Sequence, residues 1–419
     1  WNVWHDPQDR ASLANLDTAY LTRAVALMYD LTYSAISPNE RILIESSLTE
    51  KGINPIFKKL CPPPEYRCST ERYEKSPNPL FFMSGSLGIA TVAIYDKIPG
   101  QRDQLLQAFN TNISYTMNNL VPAEGGTYED FGYLTAFDYI IEAVNAFELN
   151  NLSVNVSPQI NLYIQNTANL IVSSLDNKGF TPNINDGIRM PLSDFSIFLF
   201  YNLKNSNNNP QIVASIKKFP NRFNTVIYLL LWYDNQLTNS ASELSWNSQF
   251  FKGTGLGVLK NPFDSLSAIY LKTPPTKYTN HQHFDIGGIN YVINGTCIIC
   301  DPGRPKNTVG FREYGISTLG HNSVLIDGQG QNWTVKGNGT MIDRPDYTAY
   351  KVNMTGNYYS LNNENTQDLK NISRILMSVK ESGNDFIILL DYFKAGKPHL
   401  YSQLFHNKNA QFNWNQTEK

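Results

Sequence analysis

Three of the six histidines of this chain lie within residues 280–331, close to an aspartate that could share their chemistry. His281 and His283 are two residues apart, and on an extended strand both side chains leave the same face. Asp301 and His321 could join His283 in a set of two histidines and one carboxylate, the donor types that zinc-like divalent metals prefer. His281 would lie beside the metal and stay available for proton transfer. This segment therefore predicts catalysis and a divalent metal, with zinc the first candidate.

The N-terminal part of the chain predicts a helical scaffold. Apolar residues recur with helical spacing over residues 13–35, which indicates one buried stripe on a long helix. Ser37 begins a second helix as its N-cap, with Pro38 in the first position and Glu40 completing a capping box. Further helices are predicted at residues 84–95, 102–119, 133–147, 158–174, 192–203 and 212–234.

The pattern changes around residues 250–260, after which apolar residues alternate with a period of two. Strands are predicted at residues 267–273, 288–301, 323–327, 348–354, 373–381 and 385–393, the last two joined as a hairpin. Helices first and strands later favour the α+β class, with segregated domains. We expect a helical domain over residues 1–250 and an antiparallel β domain over residues 251–419, which could be incomplete.

Composition limits the partners of the protein. The net charge is −2 and the apolar runs are short, so nothing predicts binding to nucleic acid or insertion into a membrane. Nine N-x-S/T sequons favour a secreted glycoprotein. They lie at Asn112, Asn151, Asn155, Asn294, Asn332, Asn338, Asn353, Asn371 and Asn415.

The four cysteines form two close pairs. Cys61 and Cys68 bracket a turn-rich segment that a disulfide could close. Cys297 and Cys300 lie in an apolar, strand-like run, where a separation of three points their side chains to opposite faces. The second pair is therefore expected to be two buried thiols and not a redox or zinc motif.

Two segments of the helical part carry polar groups in unusual places. Asn78 comes just before a helix of small residues, and the glycine-rich residues 122–133 deliver Glu129 and Tyr133 to the start of another helix. Taken singly, Asn78 is explained as a turn or cap residue and Tyr133 as an anchor of an amphipathic helix.

Together these segments resemble the heparinase II/III-like polysaccharide lyases, relatives of certain alginate lyases and of dermatan sulfate epimerase. The similarity begins at residues 17–30 and includes the spacing from Asn78 to Tyr133. It is strongest in H-x-H-x-D-x-G from His281, D-P-G from Asp301 and H-N-S-V-L-I-D-G-Q-G-Q from His321. The resemblance implies an incomplete (α/α) toroid followed by an antiparallel β-sandwich, with an acidic polysaccharide bound in the cleft between them.

The resemblance also implies roles for individual residues. Asn78 is similar to the residue that neutralises the uronate carboxylate, Tyr133 to the catalytic tyrosine on the leaving-group side, and His281 to the histidine that reaches the active site. The ligands of a structural metal, commonly zinc, would be His283, Asp301 and His321.

Three further residues are candidates for substrate contact. Tyr314 could add a second phenol to the cleft, and a packing role is as plausible. Arg312 could pair with a substrate carboxylate or sulfate, or be a solvated loop charge. Glu129 could contact the substrate or order the loop around Tyr133.

Eliminating across a 4-linked uronate removes the C5 proton, so a neutral donor such as the Asn78 amide must stabilise the charge that develops beside it. Tyr133 and His281 both exchange protons from a neutral form, and the sequence leaves open which is the base. The expectation is a secreted lyase. A uronyl C5 epimerase shares the first half-reaction, and a glycan-binding or structural glycoprotein would use the scaffold alone.

Overall fold

The computed structural model describes most of the chain. The described residues are 4, 14–62, 77–152, 157–205, 209–220, 243–261, 264–273, 281–304, 311–332, 338–358, 368–381 and 384–407. Among them, no helix is both long and apolar enough to cross a membrane.

Helices dominate the first half of the described chain, as the periodicity predicts. The α-helices are α1 (Leu16–Thr32), α2 (Pro38–Ser47), α3 (Asn54–Leu60), α4 (Asn78–Ala93), α5 (Arg102–Tyr115), α6 (Leu134–Leu149), α7 (Ser157–Ser174), α8 (Ser196–Asn205), α9 (Pro210–Lys218) and α10 (Phe311–Ile316). Helix α9 ends at Lys218 with Phe219 as its C-cap, so the helix predicted at residues 212–234 is interrupted there, and residues 221–234 lie outside the described residues.

Capping chemistry explains where two of these helices begin. The Ser37 side chain accepts from the Glu40 N–H at 3.3 Å, and the Glu40 carboxylate accepts from the Ser37 N–H at 2.8 Å, which confirms the capping box. Helix α4 begins at Asn78, earlier than the predicted residue 84, with Pro79 in its first turn. Proline is suited to that position because its φ angle already matches a helix.

Helices α4 and α6 pack closely and run in the same direction. Gly85 lies against Tyr139 and Gly88 against Ala143, so residue numbers rise together along the contact. A Cβ at Gly85 would overlap the Tyr139 backbone, and a Cβ at Gly88 would lie 2.8 Å from the Ala143 Cβ. Only glycine permits this approach. The N-terminal ends of α4 and α6 are therefore neighbours.

Helix α1 runs in the same direction beside them. Tyr20 contacts Tyr139, with ring centroids 6.0 Å apart, and one turn further along both helices Arg23 forms an ion pair with Glu142. Three parallel helices thus present one end to the same side of the molecule.

The second half forms antiparallel sheets. Its strands are β1 (Gln249–Phe251), β2 (Leu256–Asn261), β3 (Asp264–Lys272), β4 (Ile289–Ile293), β5 (Thr296–Ile299), β6 (Val324–Ile326), β7 (Gly339–Asp343), β8 (Tyr347–Asn353), β9 (Leu369–Glu381), β10 (Asn384–Ala395) and β11 (Tyr401–Gln403). In the described chain they form sheets in the orders β1-β2-β3-β4-β5, β10-β9-β8-β7 and β11-β6. The predicted hairpin is confirmed, since Glu381 pairs with Asn384.

Two hydrophobic cores hold these elements together. The larger one joins the helices to the five-stranded sheet through residues such as Phe137 and Tyr270. The smaller one includes Leu259 of β2, Tyr350 of β8 and Leu376 of β9, so the five-stranded and four-stranded sheets share it. Helices and antiparallel sheets in separate parts of the chain agree with the α+β class.

The strand predicted over residues 288–301 is two strands. Asn294 and Gly295 link β4 to β5 with φ angles of 48° and 75°, the conformation of a two-residue hairpin turn. The β4–β5 register also shifts, which interrupts the alternation of side chains, and Cys297 and Cys300 form a disulfide. The expectation of two buried thiols on opposite faces is therefore wrong, because it assumed one unbroken strand.

One predicted glycosylation site conflicts with the fold. Asn112 is fully buried in α5, so the folded chain leaves no room for a glycan there. Asn332 and Asn371 are half-buried, and Asn155 and Asn415 lie outside the described residues. The exposed sequon asparagines are Asn151, Asn294, Asn338 and Asn353.

The first cysteine pair is described only in part. Cys61 is buried at the end of α3, whereas Cys68 lies outside the described residues. The pairing of Cys61 with Cys68 therefore stays a prediction.

Candidate active site and metal centre

The loop before α6 positions Tyr133. The Asp130 carboxylate accepts from the N–H of Gly132 at 2.5 Å and from that of Tyr133 at 3.3 Å, which ends the loop and begins the helix. Tyr133 is the N-cap residue of α6, within one residue of the predicted start. Its phenol therefore projects from the end of the parallel helices.

The phenol meets an imidazole from the second half of the chain. Tyr133 Oη lies 2.8 Å from His281 Nδ1, and the two ring centroids are 4.4 Å apart. His281 and His283 lie in the segment that precedes β4, and not on the extended strand that their spacing suggested. The tertiary structure thus joins two candidate residues that are 148 positions apart.

Asp186 links both histidines. Its Oδ2 lies 2.8 Å from His281 Nδ1 and its Oδ1 lies 2.9 Å from His283 Nε2. Burial raises the pKa of this carboxyl, but hydrogen bonds from the two imidazoles outweigh burial and hold the pKa below its usual range. An ionised carboxylate only accepts, so both histidines donate to it.

These bonds define the tautomers. Because His281 donates from Nδ1, its Nε2 carries the lone pair and can accept a proton. His283 donates from Nε2, so its Nδ1 carries the lone pair, and this buried atom has no hydrogen-bond partner among the described residues. With Asp186 ionised, the lone pair lies on Nε2 of His281 and on Nδ1 of His283, where a proton or a metal ion could bind.

Sequence reasoning missed Asp186. It lies in T-P-N-I-N-D-G, which indicates an ordinary turn. In the fold, the amide of Asn183 donates to the Asp301 carbonyl and the amide of Asn185 donates to the Glu129 carbonyl. Residues 183–187 thus connect the Tyr133 loop to the metal-ligand segment. The one sequence signal for a functional role was the cluster of Asn and Asp residues in a segment without helical periodicity.

Asn78 lies at the same end of the helices as Tyr133. The α4–α6 contact pairs Gly85 with Tyr139, an offset of 54, which places Asn78 level with residue 132. Asn78 is 9% exposed, and its side-chain oxygen has no hydrogen-bond partner among the described residues. Asn78 is therefore placed near the end of α6 at which Tyr133 lies.

A potential metal-binding set lies behind the histidine pair. One ligand atom each from His283, Asp301 and His321 lies within 4.8 Å of the others, and all three side chains are buried. His321 Nε2 lies 2.9 Å from the Gly315 carbonyl and donates to it, which leaves Nδ1 toward Asp301 Oδ2 at 2.8 Å. Two imidazole lone pairs and one carboxylate thus converge, the donor set that zinc favours.

The charges around this set suit a cation. Burial lowers the pKa of His321, but the carboxylates of Asp301 and Asp285 outweigh burial and raise it. Burial raises the pKa of Asp301, but the charge of His321 outweighs burial and lowers it. Without a metal, His321 must hold an extra proton to satisfy these carboxylates. The three residues present therefore fit a divalent metal, which would replace that proton.

A buried ion pair between Lys272 and Asp285 lies next to the three potential metal ligands. Lys272 of β3 donates to the Asp285 carboxylate and to the Asn185 side-chain oxygen, and at 3.3 Å to the His283 carbonyl. Asp285 Oδ2 in turn lies 3.7 Å from His321 Nδ1. This network fixes the backbone that carries His283 and ties it to the residues 183–187 segment.

The three residues predicted to contact substrate have different surroundings. Tyr314 is 39% exposed and lines a cleft of about 480 Å³ together with Asp301 and Gly187, the neighbour of Asp186. The side chain of Arg312 lies outside the described part of the chain. Glu129 is buried, and its charge helps to raise the pKa of Tyr133. Burial of the Glu129 carboxylate argues against direct substrate contact, and its role in ordering the loop stays a prediction.

Replacing Asp186 with asparagine is expected to lower activity and metal affinity about 10–100-fold each, because outer-shell partners orient ligands and set their tautomers. The carbonyl oxygen of an asparagine can accept a hydrogen bond from only one of the two histidines. Its NH2 group would face the other histidine and could only donate to it. Steady-state turnover and metal content would be measured beside Asp346→Asn, an exposed carboxylate of the distant sheet. Equal activity and metal content in Asp186→Asn and the native chain would contradict the bridging role.

Asp130 predicts a pH-dependent stability. Burial raises its pKa to about 7, above the value of an unfolded aspartate, so the folded chain holds this proton more tightly. The resulting stabilisation is full at pH 4 and is lost as pH rises through 7, a change of about 2–4 kcal/mol. Asp130→Asn keeps an oxygen acceptor for the N–H groups of Gly132 and Tyr133 and should flatten this fall in stability. Thermal midpoints at pH 5 and 8 would test it, with the exposed Asp103→Asn as control; equal falls in all three proteins would contradict it.

Comparison with known proteins places this geometry in context. Residues 243–417, which carry the histidine segment and the sheets, match the family model of the heparinase II/III-like C-terminal domain. No curated protein matches the sequence of the chain.

Solved structures resemble the fold over nearly all of its length. A heparinase III with methylated lysines has a TM-score of 0.67 at 14% identity, covering 96% of this chain and 56% of that one. A mutant heparan sulfate lyase from Pedobacter heparinus has a TM-score of 0.65 at 12% identity, covering 91% and 54%. The chain thus spans little more than half the length of the structures it matches. At these identities the similarity demonstrates a shared fold.

Proposed function

We propose that the chain is a polysaccharide lyase of the heparinase II/III-like type that cleaves a uronate-containing glycan by β-elimination, and the match of residues 243–417 to the C-terminal domain of that family supports this. The observation that carries the proposal is the 2.8 Å contact between Tyr133 Oη and His281 Nδ1. It brings a proton donor and a proton acceptor together at the end of the parallel helices.

In this proposal the substrate carboxylate lies at Asn78. Its amide donates to the carboxylate, and the N-terminal ends of α4 and α6 add the positive ends of two helix dipoles. These groups stabilise the negative charge that develops when C5 loses its proton, and they stay in place throughout the reaction. Most of the proposed catalytic effect comes from this arrangement and from the acid–base pair.

We assign the base to His281 and the acid to Tyr133. The His281 Nε2 lone pair takes the C5 proton, the C4–O4 bond breaks as C4=C5 forms, and Tyr133 gives its proton to O4. Burial, followed by the charges of Asp130 and Glu129, raises the pKa of Tyr133, so the phenol is protonated before the reaction. The His281 Nδ1 proton can then return to Tyr133 across their contact. The His281 side chain is 27% exposed, so solvent exchange restores its tautomer.

The metal is proposed as a structural zinc held by His283, Asp301 and His321. When bound it would act as a cross-link between the segment before β4, the end of β5 and the segment before β6, and it needs no contact with substrate. Fixing His283 also fixes Asp186 and, through it, His281. The toroid and β-sandwich architecture, the secreted location and glycosylation belong to the same proposal, supported by the sequons and by the resemblance to lyase structures.

A polymer panel tests the reaction. The protein would be incubated with heparan, chondroitin, hyaluronan, alginate and glucuronan while the absorbance of the unsaturated product is followed. A rise with any polymer supports the lyase. Entry of solvent deuterium at C5 without chain cleavage would indicate an epimerase and not a lyase. The absence of both signals would indicate a glycan-binding scaffold without activity.

A further inference from the structure

An arginine lies fully buried in the smaller hydrophobic core. Arg374 lies between Ile372 and Leu376 along β9, and all three residues are shielded from solvent. Its partner is Asp391, the residue opposite it on β10, whose carboxylate accepts from Nε at 2.8 Å and from Nη2 at 2.9 Å. This bidentate pair neutralises a charge that an apolar core could not otherwise hold.

Stability alone does not explain why the fold buries this pair. The attraction between two buried charges is largely offset by the loss of their hydration, so an apolar pair of similar size is often as stable. An apolar pair could not supply the remaining donors of the guanidinium. Nη1 of Arg374 donates to the carbonyl of Gly287 at 2.5 Å and to the carbonyl of Asn322 at 2.8 Å. The arginine therefore connects the four-stranded sheet to two other segments.

Both of these segments carry candidate metal ligands. Gly287 is four residues past His283, and Asn322 directly follows His321. Both carbonyls lie just before a strand, β4 in one case and β6 in the other, where a side chain has to supply hydrogen bonds that strand pairing does not. Arg374 thus ties two ligand-bearing segments to one rigid sheet.

The side chain of Asn322 extends this connection to the third ligand. Its Nδ2 donates to the carbonyl of Cys300, which precedes Asp301, and to the carbonyl of Ile289, the first residue of β4, each at 2.9 Å. Asn322 is as deeply buried as Arg374. The two side chains therefore reach the backbone beside all three candidate ligands without being ligands themselves.

We propose that Arg374 is a positioning residue, which holds the three metal ligands in their binding arrangement through the carbonyls of Gly287 and Asn322. A site that is fixed in advance binds its metal more tightly, because the chain loses less conformational freedom on binding. Since Asp186 bonds both histidines of the pair, the same support also fixes the ring of His281. The effect on turnover rests on the proposed lyase function, whereas the effect on metal binding does not.

A paired replacement separates positioning from stability. Arg374→Met/Asp391→Leu removes both charges and fills their space with apolar side chains, so no single charge stays buried. Arg374→Lys keeps the charge, but one ammonium group cannot replace the planar fork that serves a carboxylate and two carbonyls. The matched control is Lys380→Met/Asp343→Leu, because Lys380 is also on β9 and also bonds a carboxylate and a backbone carbonyl, that of Arg344.

Zinc is the probe, added to the metal-free full chain below its thermal midpoint, with Kd measured by competition against a chromophoric chelator. Both Arg374 variants should raise the zinc Kd about 10–100-fold, as the loss of an outer-shell partner does. With the best polymer of the panel, kcat should fall about tenfold or more while KM stays within about twofold, because misplacement of His281 acts on the reaction step. The control pair should keep the native Kd and kcat, whatever its thermal midpoint.

Other results overturn the positioning role. Native zinc affinity in either Arg374 variant would do so, and Arg374→Lys decides the question if the paired variant does not fold. An equal loss of affinity in the control pair would show that any weakening of β9 disturbs the site. A native chain that binds no zinc would also overturn the role, because no ligand set would then need positioning. Weaker zinc binding in the Arg374 variants, with no polymer cleaved by the native chain, would keep the role and remove the lyase function.

Discussion

Tyr133→Phe is expected to lower kcat by about 10²–10⁴-fold, since it removes the acid that protonates the leaving group. The ring stays, so its packing against the His281 ring and the start of α6 should survive the loss of the hydroxyl, and KM should change little. The hydroxyl is the only group deleted, and no other phenol is assigned to that position. Turnover of the best polymer from the panel would be measured together with the thermal midpoint.

The Tyr33→Phe variant is the control for this change, because Tyr33 is a solvent-facing phenol at the far end of α1. It should keep native turnover. Native turnover in Tyr133→Phe as well would reject the assignment of the acid. A large loss of thermal stability would instead show that the hydroxyl holds the loop, in which case the kinetic loss could not be assigned to chemistry.

His283→Ala is expected to lower metal content to below about a tenth of the native value and stability by about 2–4 kcal/mol, or roughly 2–5 °C in thermal midpoint. The loss has two sources, because the ligand set is reduced to Asp301 and His321 and because Asp186 loses one of its two donors. Metal would be counted by elemental analysis of the purified chain.

Chelation separates those two sources. A chelator should lower the thermal midpoint of the native chain and leave that of His283→Ala unchanged. His399→Ala is a matched control, since His399 also lies between two carboxylates, Asp327 and Asp368, at 2.7 and 3.0 Å. That variant should retain the metal. One metal per chain in His283→Ala would refute the ligand assignment.

Some features followed from local chemistry alone. The capping box at Ser37, the helix that begins beside Tyr133 and the hairpin between β9 and β10 depend on residues a few positions apart, so the sequence displays them directly. The N-G turn between β4 and β5 was equally local, but the apolar run around it concealed it, and the cysteine prediction failed with it.

The candidate site shows where such reasoning ends. By itself the sequence determined the kinds of group available: two histidines beside a carboxylate, a phenol after a glycine-rich loop and an amide before a helix of small residues. Residue type sets proton affinity and ligand preference, and these survive in any fold that brings the groups together.

Only the tertiary structure decided how those groups are used. A turn between the two halves of the chain places Asp186 against both His281 and His283, and that one carboxylate determines which ring nitrogen carries a proton. The close contact of α4 with α6 decides that Asn78 lies level with Tyr133. The histidine tautomers and the proximity of Asn78 to Tyr133 depend on contacts between segments about fifty to a hundred residues apart. No periodicity or motif in the sequence encodes such contacts.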